Sequence, residues 1–114
     1  MQSTSIQRTM ASFVTWAWPR GHVLQRVDWR ERLHAALQRR LQREPTLADV
    51  AYHTDAEDGG AHRTRVEVTI DNHRYGFSGV PQDTICASIR CVAWLALMEL
   101  CTAGILEPPP EIGG

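Results

Sequence analysis

The sequence contains no lysine, because all 12 of its cationic side chains are arginine. No cluster of lysines can therefore bind phosphate anywhere in the chain. Cysteine is also scarce, and Cys86, Cys91 and Cys101 form no Cys-x-x-Cys pair. An odd number of cysteines in this pattern argues against a disulfide framework and favours buried thiols in a reducing compartment. No phosphate-binding loop, nucleophile elbow or zinc-protease motif is present, so we expect no enzymatic activity.

Export signals and long hydrophobic runs are missing too. The N-terminus lacks a charged segment followed by a sustained apolar core, and no stretch reaches the roughly 20 apolar residues of a membrane span. The five histidines are scattered, and the acidic residues do not group as metal ligands would, so we expect no metal and no other cofactor. These absences predict a cytoplasmic protein that does not bind membranes.

The chain is long enough for one globular domain with tails, since 43% of its 114 residues are hydrophobic. Its net charge of −1 conceals an asymmetry. Residues 1–43 carry a net charge of +6, and residues 44–114 carry a net charge of −7. A nucleic-acid-binding protein needs a local cationic surface rather than a basic total, and only the first part of this chain offers one.

A basic amphipathic helix is predicted over residues 28–43. Asp28 can cap its first turn, and Glu31 completes the Asp-x-x-Glu capping box. Apolar residues then recur at helical spacing, and Pro45 ends the helix. On a different face, Arg32, Arg39 and Arg43 lie nearly one above another.

Three strands are predicted after this helix, over residues 47–54, 65–71 and 73–77. The second alternates apolar and polar residues, which is typical of a strand with one wet face. Asp71 and Asn72 provide the turn to the third strand. An acidic, glycine-containing loop over residues 55–61 separates the first two strands.

The last helix is predicted to begin near Gln82 or Asp83 and to end before Gly104. One apolar stripe along it comprises Ile85, Ile89, Val92, Ala93, Ala96 and Leu100. A second comprises Cys91, Trp94, Leu95, Met98 and Cys101. A helix that is apolar nearly all round is expected to be buried on more than one side.

This α-β-β-β-α order, the run Val66-Glu67-Val68-Thr69-Ile70-Asp71 and the following Arg74-Tyr75-Gly76 resemble the double-stranded-RNA-binding domain. The resemblance covers residues 28–106. It implies an α+β fold in which two helices pack on one face of a three-stranded antiparallel sheet. Residues 1–27 would be an N-terminal extension, and residues 107–114 a Pro/Gly tail. Domains of this family read A-form RNA by its shape, through three patches.

The resemblance also assigns candidate RNA-binding residues: Arg32, Arg39, Arg43, His62 and Arg90. The first three lie on the first helix, and His62 ends the loop after the first strand. The third patch of the family is a Ser-Lys-Lys-x-Ala-Lys loop at a helix N-terminus. This chain has Val80-Pro81-Gln82-Asp83-Thr84-Ile85 there, with Asp83 expected as the helix cap, and Arg90 lies a turn further on. Most of the family's electrostatic contact with phosphate is therefore missing.

Two functions remain open from the sequence. The favoured one is a non-catalytic module for protein association, as a homodimer or a docking subunit, with RNA binding degenerate. Its predicted interface comprises Trp16, Trp18, Cys91, Trp94, Leu95, Met98 and Cys101. In a monomer, residues 13–27 would instead fold back over the same helix face. The alternative is a functional double-stranded-RNA-binding protein. Arginines brought from elsewhere in the chain to the start of the last helix would overturn the view that this position lacks cations, on which the association hypothesis depends.

Overall fold

The computed structural model describes residues 26–108, which form a three-stranded antiparallel sheet and two α-helices. The elements in chain order are α1 (Trp29–Leu41), β1 (Val50–Ala56), β2 (His62–Ile70), β3 (His73–Ser78) and α2 (Ile85–Thr102). The strand order is β1-β2-β3, so β2 is central and the sheet is open at both edges. The predicted α+β class is confirmed. The predictions on Trp16, on Trp18 and on the tail beyond Pro108 lie outside the described residues.

Helix α1 begins as its sequence predicts. The Asp28 carboxylate accepts a hydrogen bond of 3.1 Å from the backbone N–H of Glu31, which satisfies one of the open donors of the first turn. The helix ends at Leu41, two residues earlier than predicted, because Gln42 adopts a left-handed conformation with φ 59°. The face turned to the core carries the buried residues Trp29, Leu33, Ala36 and Leu37.

Strand β1 begins three residues later than the sequence predicts, because residues 46–49 form a turn. The backbone N–H groups of Asp49 and Val50 both donate to the Thr46 carbonyl, at 2.9 and 3.0 Å. The Asp49 carboxylate accepts a further bond of 2.8 Å from the Thr46 N–H. Leu47, assigned to the strand by its apolar character, is instead 85% exposed on this turn.

Strand β2 alternates as predicted, with Val66, Val68 and Ile70 buried and the intervening Arg65 and Glu67 exposed. It pairs with β1 on one side and with β3 on the other. The predicted hairpin turn is also present. Both of its residues have positive φ, 53° at Asp71 and 66° at Asn72, as a two-residue turn between twisted strands requires.

Helix α2 is buried along most of its length, on both predicted stripes. Its buried residues are Ser88, Cys91, Val92, Ala93, Trp94, Ala96, Leu97, Glu99 and Leu100. The expected cap at Asp83 is wrong: the Thr84 hydroxyl caps the helix and accepts a bond of 3.0 Å from the Ala87 N–H. Beyond the helix, Gly104 has φ 77°, which agrees with the predicted stop.

A chain of hydroxyl groups attaches the start of α2 to the sheet. The Ser88 hydroxyl donates to the Ile85 carbonyl at 2.8 Å and so has no proton left for its other neighbour. The buried Thr64 hydroxyl, 2.6 Å away, must therefore donate to Ser88. By the same reasoning Thr54, at 2.7 Å, donates to Thr64. The first turns of α2 are thus fixed in position over β1 and β2.

The loop between β3 and α2 approaches the helix closely at Gly79. A Cβ atom at this position would lie 3.2 Å from the Val92 Cβ and 3.3 Å from the Val92 backbone nitrogen. Because one of these neighbours is helix backbone, it cannot move aside by a change of rotamer. Glycine is therefore the residue that fits between the loop and α2.

We expect Gly79→Ala to lower the free energy of unfolding by about 1–3 kcal/mol, because the added methyl group overpacks this contact. Urea unfolding followed by circular dichroism measures the change. The matched control is Ser78→Ala at the neighbouring exposed position, where we expect a change of at most about 0.5 kcal/mol. Equal stability of Gly79→Ala and the parent protein would contradict the close packing of loop and helix.

Candidate functional site

The loop that leads into α2 is held by hydrogen bonds to the start of β2. His62 and Gln82 exchange two backbone bonds, of 2.7 and 2.8 Å. The Gly79 N–H donates to the Thr64 carbonyl at 3.0 Å, and the Arg63 guanidinium donates to the Gly79 carbonyl at 3.3 Å. The surface at the start of α2 is therefore a fixed feature of the fold.

This surface is apolar and acidic in character. Val80 and Ile85 are each 50% exposed, a high value for large apolar side chains. Asp83 and Cys86 are also exposed. No cationic side chain occurs between Gly79 and Ile89 in the sequence. The loop and first turn of α2 therefore supply no cationic side chain for a phosphate contact.

A cleft of about 370 Å³ lies beside this surface, between the N-terminal ends of α1 and α2. It is lined by Arg26, Asp28, Arg30, Cys86, Ile89 and Arg90. Two of its three arginines come from the beginning of α1 and the residues before it, so arginines from elsewhere do reach the first turns of α2. The expectation that the start of α2 lacks cations is therefore wrong, and this observation counts against the association hypothesis.

The cleft arginines Arg26 and Arg30 form no ion pair with any acid within residues 26–108. Arg30 instead lies over the Tyr52 ring, 5.4 Å from its centroid. Burial raises the pKa of Tyr52 to about 12, so the phenol stays uncharged at physiological pH and does not neutralise Arg30. Arg26 and Arg30 were not among the residues predicted from the sequence. Their spacing of four residues indicates that both lie on one face of a helix, but it does not indicate that α2 lies opposite them.

Arg43, a predicted RNA-binding residue, is engaged within the fold. Its guanidinium makes a two-pronged contact with the Asp49 carboxylate, at 2.7 and 2.9 Å. Asp49 is only 7% exposed. The Arg43 bonds, followed by the bond from the Thr46 N–H, hold the pKa of Asp49 well below its usual range. Arg43 therefore fixes the turn between α1 and β1.

The other predicted RNA-binding residues are dispersed. His62 and Arg90 both lie near the start of α2. Arg39 lies near Cys101. Burial raises the pKa of the Cys101 thiol, and the positive charge of Arg39 offsets part of this rise. That position is roughly 22 Å from Cys86 along α2, at 1.5 Å per residue. Arg32 lies 6.0 Å from the Trp29 ring centroid. The five residues therefore do not form one contiguous surface, and their role in RNA binding stays a prediction.

Several remaining arginines are neutralised by acids. Arg40 contacts Asp71 at the hairpin turn, with 2.5 Å between nitrogen and oxygen. On the sheet, Arg63 pairs with Glu57 at 3.1 Å and Arg65 pairs with Asp55 at 3.7 Å. The acids around the loop after β1 thus hold two sheet arginines that otherwise would be open to phosphate.

The predicted interface along α2 is partly covered within a single chain. Cys91 is 3% exposed and Trp94 is 8% exposed. Leu95, Met98 and Cys101 are partly buried and pack against the core. Burial raises the pKa of the Cys91 thiol, which argues against a reactive thiolate there. The role of these five residues in an interface stays a prediction, and the first two are not available without a rearrangement.

By length and composition α2 is apolar enough to cross a membrane, with a mean hydropathy of 1.6 over Ile85–Thr102. Half of that segment is buried inside the fold, and the core helix of a globular domain meets the same criteria.

Within residues 26–108, no three His, Cys, Asp or Glu side chains come together as metal ligands would. Comparisons with protein-family models, curated proteins and solved structures gave no match.

The Asp49 carboxylate makes stability depend on pH in a defined direction. Because its pKa is lower in the folded chain than in the unfolded chain, the folded state favours the charged form. The stabilisation is therefore complete above the unfolded pKa of about 3.9 and is lost as the pH falls towards the folded pKa.

We expect Asp49→Asn to lower the thermal midpoint at neutral pH and to weaken its fall between neutral pH and pH values below about 4, because the Arg43 contact loses its charge. Thermal unfolding followed by circular dichroism at a series of pH values measures both effects. Asp83→Asn, at an exposed acid without such a contact, serves as the matched control. An unchanged pH profile in Asp49→Asn would contradict the structural role of the pair.

Proposed function

We propose that the chain is a non-catalytic module, built like a double-stranded-RNA-binding domain, whose main role is protein–protein association. Its simplest form is a homodimer, and docking to another protein is the second form. Duplex RNA binding is weak or degenerate. The observation that carries this proposal is the start of α2, where Val80 and Ile85 are half-exposed and Asp83 is the exposed charged residue, in the segment to which the resemblance would assign the family's lysines.

Weak RNA binding follows from the small number of phosphates that the module can neutralise. Affinity for a duplex rises with the counterions that cationic side chains release, so missing cations weaken binding strongly at physiological salt. The first turn of α2 is capped internally by Thr84, and Asp83 beside it repels phosphate. Arg43, which the first patch would need, is held by Asp49.

Association is supported by the same surface and by the sheet edge. Apolar side chains that are exposed together on a fixed part of a fold are typical of contact surfaces. Strand β3 pairs only with β2 among the described elements, so its other edge can accept a further strand. In the family that the chain resembles, some members have given up RNA binding for pairing through the last helix and the third strand.

We expect the full chain to form dimers in solution at micromolar concentration, and Ile85→Glu to shift its mass towards that of one chain, because a charge replaces a half-exposed apolar contact. Sedimentation or light scattering, with and without a duplex of about 20 base pairs, measures the mass. The matched control is Leu47→Glu, which adds the same charge at the most exposed large apolar side chain in residues 26–108.

A dimer that persists in Ile85→Glu would remove this surface from the interface. A monomer at every concentration would exclude the homodimer and leave docking to another protein. Tight, salt-sensitive capture of the duplex by the isolated chain would overturn the proposal as a whole.

The second candidate function, duplex RNA binding, is favoured by one observation. Arg26, Arg30 and Arg90 share a cleft at the start of α2, the end of the helix to which the resemblance would assign the family's cations. Under this alternative the arginines of α1 replace the missing lysines of the α2 loop.

For RNA we expect only weak binding of the duplex, which disappears between low and physiological salt because few phosphates are neutralised. Gel shifts with the full chain measure it. Arg26→Glu combined with Arg30→Glu should remove this residual binding, and Arg65→Glu combined with Arg74→Glu, at exposed positions on the sheet, should leave it nearly unchanged. Binding that survives physiological salt and depends on the first pair would make RNA binding the main function.

A further inference from the structure

We propose that the cleft between the N-terminal ends of α1 and α2 binds an acidic segment of a partner protein, in which carboxylates flank a large aliphatic side chain. The proposal rests on the association function and names the class of partner that this module takes. It is carried by the charge of the cleft, by its apolar wall and by its shape.

The cleft is lined by more cationic than acidic side chains. Three arginines line it against one acid, Asp28. The Asp28 carboxylate already accepts the Glu31 N–H at 3.1 Å as the cap of α1, so it serves the helix as well as facing the cleft. Arg26 and Arg30 form no ion pair with an acid within residues 26–108. A carboxylate from outside would therefore find arginines to which it can bind in the two-pronged manner that guanidinium groups favour.

Arg30 is also restrained by a residue outside the cleft, because Tyr52 lines a neighbouring groove together with Arg30. Its contact with the Tyr52 ring, at 5.4 Å, restricts a side chain that is otherwise flexible. Tyr52 lies on β1, so the guanidinium is supported by the sheet as well as by its own helix. A side chain held in place loses less conformational entropy on binding, which favours the contact.

One wall of the cleft is apolar. Ile89 and Cys86 line it from α2, and Ile85, one turn before Ile89, is half-exposed at the same end of the helix. The volume of about 370 Å³ lies at the small end of the range for binding pockets. This combination of apolar wall and cations fits an aliphatic side chain with carboxylates on either side.

Duplex RNA fits the same cleft less well. Domains that read A-form RNA contact a row of phosphates across its grooves, which needs cations on an exposed ridge. Here the arginines line a concavity, with Asp28 among them and Asp83 on the exposed loop that precedes α2. The apolar wall would gain nothing from a phosphate. The observations therefore favour a protein partner over a nucleic acid.

The test is fluorescence anisotropy of the full chain with a short dye-labelled peptide in which glutamates flank leucines. Two control peptides carry glutamine for each glutamate, or serine for each leucine. We expect the first peptide to bind and both controls to bind more weakly. Arg26→Gln combined with Arg30→Gln should weaken its binding by roughly tenfold or more, since two contacts to carboxylates are lost.

The matched protein control is Arg39→Gln combined with Arg74→Gln, which removes the same charge from exposed positions outside the cleft and should leave the affinity nearly unchanged. Circular dichroism and the thermal midpoint verify that both double variants are folded. Equal affinity of the peptide for the two double variants would overturn the proposal, because binding would then reflect net charge alone. So would equal affinity of the parent chain for the three peptides.

The outcome also separates this proposal from the function on which it rests. A chain that forms dimers disrupted by Ile85→Glu but does not bind the peptide would retain the association function and refute the acidic partner. A monomer that ignores the peptide and binds a duplex of about 20 base pairs through Arg26 and Arg30 would refute both.

Discussion

Helix α2 is apolar on nearly all sides, and its burial decides where the other elements lie and which part of the molecule can contact a partner. Val92, Ala96 and Leu100 are completely buried, which places the middle and the later turns of the helix in the core. Gly79 and the hydroxyl chain that ends at Ser88 attach its first turns to the sheet. The start of α2 combines a fixed position with half-exposed apolar side chains, which supports the proposal of a binding surface there.

The elements with a strong periodic signal and the hairpin turn were predictable from the sequence, and the turn before β1 was not. Helix α1, the alternation along β2 and the hairpin at Asp71 follow from local residue patterns, and all three are confirmed. The start of β1 is wrong because Thr46 and Asp49 bind each other's backbone and close a turn over an apolar leucine. Apolar character favours a strand there, but hydrogen bonds across three residues outweigh it.

The candidate site was predictable in its absences rather than in its contacts. The lack of cations between Gly79 and Ile89 is a property of the sequence, but in the fold Arg26 and Arg30 reach the same end of α2 from elsewhere in the chain. The grouping of Arg26 and Arg30 with Arg90 depends on how two helices meet, and no local pattern specifies that. For Arg43, in contrast, the sequence predicts a contact with RNA, but in the fold this side chain is already engaged. It shares a helix face with Arg39 in the sequence, yet its charge is held by Asp49, an acid six residues further along the chain.

The distribution of arginine partners gives the charge asymmetry of the chain a physical meaning. Along the sheet and the turns, Arg43, Arg63 and Arg65 each face an acid from the acidic part of the sequence, so these cations stabilise the fold. At the beginning of α1, Arg26 and Arg30 face no such acid within the described residues, and the cleft retains its positive charge. A carboxylate supplied by another protein would complete there the pairing that acids of the same chain provide elsewhere. The arginine content of the chain therefore need not indicate RNA as the ligand.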